Sequence, residues 1–171
     1  MTKLSKYQKV GIFVDVQNMF YSARHQYGAK LNFAKLLESA VQGRRLIRAI
    51  AYIVQTKGID QAKFIDMLSR TGYEVKSKNL KIRPDGTAKG DWDMGIAIDS
   101  ISLADRIDTM ILVSGDGDFV DLVNMLKGKG VRVEVISFPK STADELIEAA
   151  TQYYPIESNL LIKERHRKVR K

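Results

Sequence analysis

Apolar residues fall in short continuous runs along the chain, and segments with helical spacing separate them. The run KVGIFVD, residues 9 to 15, is apolar at nearly every position, as a strand buried on both faces must be. Further strands are expected at LIRAIAYIVQ (46 to 55), TMILVS (109 to 114) and VRVEVISF (131 to 138). YEVKSKNLKI reads as another strand that continues into a hairpin-like arm. PDGTAKGD, 84 to 91, has the turn chemistry of a loop. Helices are expected from about Gln17 to Tyr27 and over FAKLLESAVQ, where Asn32 is the N-cap. Asp60 caps a helix running to about Thr71, closed by Gly72. WDMGIAIDSISLADR (92 to 106) and residues 118 to 128 follow, the latter ended by Gly128-Lys129-Gly130. A final helix covers 142 to 150, with Thr142 and Glu145 spaced as a capping box. NLLI, near the end, adds an edge strand. Strands alternating with helices specify an α/β class with a mainly parallel sheet.

At 171 residues the chain fits one domain over 1–162, followed by a basic tail over 163–171. No apolar run approaches the roughly 20 residues that span a bilayer. MTKLSKYQKV has no signal-peptide core, so the expected compartment is the cytoplasm and no membrane partner is expected. Cysteine is absent, which removes disulfides, thiolate metal sites and a Cys nucleophile. The net charge is +8, and KERHRKVRK at the end carries +5 of it. A basic tail on a mildly basic body points to a polyanion, most often nucleic acid.

The candidate chemistry lies where strands end. In an open parallel sheet, ligands bind beyond the carboxyl ends of the strands, where strand order reverses. The first strand ends at Asp15, and the run at 109 to 114 leads into Ser114-Gly115-Asp116-Gly117-Asp118. Asp91 and Asp93 open the helix after the Gly-containing loop. Crowded carboxylates repel, and the usual resolution is a hard divalent cation, Mg²⁺ or Mn²⁺. With no Cys and only His25 and His166, the chain does not suit zinc. Each acid also has a plainer reading. Asp118 suits an N-cap, and Asp93 suits a first-turn acid favoured by the helix dipole. Asp99 is expected to pair with Arg106 or a neighbouring helix, and Asp105, Asp108 and Asp121 read as surface or capping acids. Lys89 either holds a phosphate or is simply solvated. Asn18 either reaches a water or substrate or bonds its own turn. Gly115 and Gly117 give the turn space and conformational freedom.

"FVDVQNM", "KGDWDMGIAID" and "LVSGDGDFVDLVNMLKGKGVRVEVIS", in that order, resemble the NYN domain family of PIN-like nucleases over residues 9 to 150. The resemblance implies a three-layer α/β/α sandwich around a mostly parallel sheet. It also implies acids that bind Mg²⁺ or Mn²⁺ and cleave RNA phosphodiesters. Position by position, it assigns catalytic roles to Asp15, Asn18, Lys89, Asp93, Asp116 and Asp118, with Asp15, Asp93, Asp116 and Asp118 around the metal. The family pattern has one residue between Lys-Gly and Asp, whereas two stand here. Either Asp91 or Asp93 is then the functional acid, and the MGIAID that follows favours Asp93.

The expected function is metal-dependent ribonuclease activity on single-stranded or structured RNA. Ser114 and Asn18 would position water or phosphate. Arg44, Arg45, Lys76, Lys78, Lys81 and Arg83, together with the tail, would track the backbone. Trp92 would either stack a base or pack as a core or lid residue. A haloacid-dehalogenase-type phosphatase needs a second Asp two residues after its nucleophile, and Gln17 stands there instead. A non-catalytic RNA- or protein-binding module on the same fold is the remaining alternative. An exposed last strand or helix would permit a homodimer.

Overall fold

The computed structural model describes residues 5–163, so the basic tail from residue 164 onward and His166 lie outside the described residues. The elements run β1 (Lys9–Asp15), α1 (Val16–Tyr27), β2 (Ala29–Leu31), α2 (Phe33–Val41), β3 (Arg45–Gln55), α3 (Ala62–Thr71), β4 (Glu74–Asn79), β5 (Lys81–Ile82), β6 (Ala88–Lys89), α4 (Asp93–Leu103), β7 (Thr109–Val113), α5 (Val120–Gly128), β8 (Arg132–Ser137), α6 (Asp144–Ala149), β9 (Gln152–Pro155) and β10 (Leu161–Lys163). Six strands form the central sheet in the order β4-β3-β1-β7-β8-β9, and every pairing in it is parallel. The order reverses between β1 and β7, where the chain leaves one half of the sheet and begins the other.

Alternation along the strands builds the two outer layers. Val10, Ile12 and Val14 of β1 and Ile111 and Val113 of β7 pack with Met19, Leu36 and Leu68 of α1, α2 and α3. Phe13, Met110 and Leu112 point the other way, into a second core with Ile96, Leu126 and Leu146 of α4, α5 and α6. Apolar residues on both faces explain why the strand runs are continuous rather than alternating. Among the described residues, no helix is long and apolar enough to cross a membrane.

Several local expectations are corrected. NLLI does not join the main sheet: Leu161–Lys163 pairs antiparallel with β2. The edge strand is β9, carried on Gln152–Pro155. The 84–91 segment is not all loop, since Ala88–Lys89 returns to pair with Lys81–Ile82 and makes the arm a true hairpin. Thr142 does not cap α6. Its hydroxyl donates to the Phe138 carbonyl at 2.6 Å, and the Ala143 amide donates to the Gly115 carbonyl at 3.0 Å. That pinning delays the helix to Asp144, with Ala143 as its cap residue. Asn32 does cap α2, accepting from the Lys35 amide at 3.1 Å. Gly72 ends α3 with φ +118°, a conformation that glycine alone adopts without strain.

Arg44 is not an RNA contact. It is buried just before β3, at the amino end of the sheet. Its guanidinium donates to both carboxylate oxygens of Glu134 at 2.9 Å, and to the carbonyls of Val41 at 3.0 Å and Ala40 at 2.7 Å. A further bond reaches Gln8 at 2.9 Å. Two charges leave water together only when their bonds are satisfied in this way.

Candidate functional site

Parallel pairing of Val14 with Val113 brings the carboxyl ends of β1 and β7 side by side. Asp15 and the loop 114–118 therefore meet at the reversal point of the sheet. The start of α4 supplies the third contribution. One carboxylate oxygen each from Asp93, Asp116 and Asp118 lies within 4.8 Å of the others. Asp93 and Asp116 are half-buried and Asp118 is exposed.

Asp15 stands beside this group and is tied down. One carboxylate oxygen accepts the Asn18 amide at 3.3 Å and the other the Ser114 hydroxyl at 3.2 Å. Burial pushes its pKa up, and the charges of Asp116 and Asp91 add to the rise while the two hydrogen bonds oppose it. The Ser114 hydroxyl also accepts the Asp116 amide at 3.2 Å. Ser114 is fully buried and joins the two loops rather than facing a substrate. Asn18 does the same from α1, its side-chain oxygen accepting the Gly115 amide at 3.1 Å. The pull of a carboxylate on neighbouring amides decides a second point: Asp116, not Asp118, caps the turn that opens α5. It accepts the Asp118 amide at 2.9 Å, which leaves the Asp118 side chain outside the capping role.

Asp91 likewise accepts the Asp93 amide at 3.2 Å and shapes the start of α4, while Asp93 joins the three-carboxylate group. The Asp93 pKa rises to about 6, first through burial and then through the charges of Asp116, Asp91, Asp15 and Asp118. Four neighbouring carboxylates disfavour the charged form of Asp93, and a cation held among them would relieve that repulsion.

Space, not backbone twist, is what the loop glycines supply. Neither Gly115 nor Gly117 has a positive φ. A Cβ on Gly115 would lie 2.4 Å from the Ser141 carbonyl oxygen, and one on Gly117 would lie 2.9 Å from Glu145 Oε1. Glu145, expected only as a capping partner, thus puts its carboxylate against the acidic loop. Its position at the start of the helix after β8, on the carboxyl edge of the sheet, was the available signal.

The remaining expected residues divide clearly. Trp92 packs: its Nε1 donates to the Ile53 carbonyl at 2.8 Å, and its ring lies 5.4 Å from that of Tyr52. Lys78 sits 4.2 Å over the indole. Asp99 pairs with neither Arg106 nor a helix. Lys76 Nζ and the Tyr52 hydroxyl both donate to it at 2.8 Å, from β4 and β3. Burial alone would raise the Asp99 pKa, and these two bonds bring it below the ordinary value. Lys89 is exposed on β6, and Arg45, Lys81 and Arg83 are exposed as well.

The sequence pattern of the NYN domain matches residues 9–157. The chain is 30% identical over 153 residues to the low amplitude and bright protein LabA of Synechococcus elongatus, covering 85% of this chain and 82% of that one. A solved structure of a Vibrio parahaemolyticus protein of unknown function superposes with TM-score 0.86 at 35% identity, covering 94% of this chain and all of that one.

Proposed function

The chain belongs to the NYN domain family, and from that premise we propose that it is a divalent-metal-dependent ribonuclease acting at the carboxyl edge of its sheet. One observation carries the reading: three carboxylates from two elements converge within 4.8 Å, and the most crowded of them titrates near pH 6. The donors are all hard oxygens, which suits Mg²⁺ or Mn²⁺. Asp93, Asp116 and Asp118 would hold the ion directly, and Asp15 would hold it directly or through water. A bound ion of this kind polarises water and offsets charge on a phosphate.

The chain's own groups do the rest. Ser114 and Asn18 keep the loops after β1 and β7 in one register, so that Asp15 and Asp116 present their charges together. The Asn18 side-chain nitrogen is left for a phosphate oxygen or water. Lys89, four residues before α4 begins, supplies positive charge to the phosphate. Single-stranded or structured RNA is the expected substrate.

The test is cleavage of a labelled single-stranded RNA in Mg²⁺ and in Mn²⁺, with Asp116→Asn as the control. Cleavage should require the metal and should fall in the variant by more than the roughly 10–100-fold typical of outer-shell partners. Cleavage that persists in Asp116→Asn, or binding with no cleavage in either metal, would count against the reading.

A further inference from the structure

A site built from aspartates repels the polyanion it would cut. Asp93, Asp116 and Asp118 bring carboxylate oxygens within 4.8 Å of one another, with Asp15 bonded to Ser114 of the same loop and Asp91 bonded to the Asp93 amide, so negative charge is gathered at one edge. A divalent ion offsets only part of that charge. Something beside the acids must hold the phosphates, and the molecule has such an element.

The β5–β6 hairpin leaves the sheet after β4 and returns into Gly90, three residues before Asp93. It is joined covalently to the acidic edge and packed onto it there: a Cβ on Gly90 would lie 2.8 Å from Val54 of β3 and 2.7 Å from Leu80. The hairpin carries Lys81, Arg83 and Lys89, and all three are exposed. None of the three forms an ion pair among the described residues, whereas Arg48, Arg70, Lys76 and Arg132 are all bonded to acids. The only acid on the hairpin, Asp85, is used by its own turn. It accepts the Thr87 amide at 2.9 Å and the Thr87 hydroxyl at 2.7 Å, which hold its pKa below the ordinary value. Lys78 continues the row from the end of β4, held over Trp92. The hairpin is therefore a strip of cations with no ion pair among the described residues, its one acid bonded within its own exposed turn, and it is fixed at its base to the residues that open α4.

We propose that this hairpin is the RNA-binding arm of the protein, with Lys81 and Arg83 gripping phosphates of the strand that passes over the acidic group. The proposal rests on the ribonuclease reading for the identity of the polyanion. Arg83 suits a phosphate because its planar fork can donate two bonds at once, and Lys81 acts as a point charge. Binding of this kind releases counterions, so it weakens with salt by about 0.7 log units per log unit of salt for each single-strand phosphate contact.

The test measures binding apart from cleavage. Affinity for fluorescein-labelled oligouridine is measured against salt concentration in the Asp116→Asn protein and in the same protein with Lys81→Ala and Arg83→Ala added. The added changes should weaken binding about tenfold or more near physiological salt and lower the salt slope by about 1.4, two contacts at about 0.7 each. Replacing two exposed cations elsewhere, Lys35→Ala on α2 and Lys63→Ala on α3, should change neither quantity by as much. Thermal melting of these proteins, and Mn²⁺ affinity of Lys81→Ala/Arg83→Ala in a chain that keeps Asp116, should not move, which excludes misfolding of the arm variant. Equal losses from the two pairs, or an unchanged slope in the arm variant, would overturn the proposal. RNA bound through the arm by a wild-type protein that cleaves nothing would support the arm while removing the ribonuclease.

Discussion

A single carboxylate, Asp93, shows most directly what the crowding costs. Its pKa stands near 6 where an ordinary aspartate has 3.8. The folded protein without metal thus binds that proton more tightly than the unfolded chain does. A raised carboxylate pKa makes the fold most stable below about pH 4, and stability declines as pH rises toward 6. Asp93→Asn should therefore raise the melting temperature of the metal-free protein at neutral pH, by the equivalent of about 1 kcal/mol once solvent screening of a half-exposed group is allowed for. The gain should shrink to nothing near pH 4. Thermal melts in chelator across that range check it, and equal melting at neutral pH would contradict the electrostatic account. The positions of the acids at strand ends were readable from sequence. Which acid caps which turn was not, because Asp-Gly-Asp lets either side chain reach the next amide. Only the backbone path shows that Asp116 turns inward to the Asp118 amide. Arg44 was misread for a related reason: an arginine beside Arg45 in a polar turn looks solvent-exposed until its partner, 90 residues away, is known.

Among elements, the loop 114–118 is the one whose shape the site depends on. It is held by Asn18 from α1, by the Ala143 amide from the segment before α6, and by Ser114 within itself. Gly115 is the point of closest approach. Gly115→Ala must displace the Ser141 carbonyl, since its Cβ would stand 2.4 Å away. The expected loss is about 1–3 kcal/mol in urea denaturation, together with weaker Mn²⁺ binding. Gly128→Ala, where nothing lies within 4 Å of the new Cβ, is the matched control at the end of α5 and should be neutral or slightly stabilising. Equal effects of the two changes would contradict the packing argument. The long buried strands were legible because both faces are apolar. β2 and β9 were not, since three or four residues at a margin give no periodicity, and the exposed and half-exposed positions of β9 carry no core signature. α6 was recognised, but its start was displaced by the Thr142 hydroxyl bonding back to the Phe138 carbonyl and by the Ala143 amide bonding to the Gly115 carbonyl 28 positions away, which no local motif announces.

On the scale of the whole molecule, the sheet order β4-β3-β1-β7-β8-β9 is what converts scattered aspartates into a group. Asp15 and Asp116 are 101 positions apart in sequence. Only the reversal between β1 and β7 sets their strands side by side. The same topology sends the chain from β4 through the cationic hairpin into α4, so the element proposed to hold phosphate and the element bearing Asp93 are consecutive. Charge is thereby sorted along one edge, negative over the reversal point and positive on the arm. That arrangement has a purpose only if a divalent ion sits among the acids. Anomalous scattering from a crystal soaked in Mn²⁺ tests this most directly. The account predicts one or two peaks bounded by the carboxylates of Asp93, Asp116 and Asp118, with Asp15 at their margin. A fully soaked crystal with no peak there, or with manganese bound only elsewhere, would contradict it.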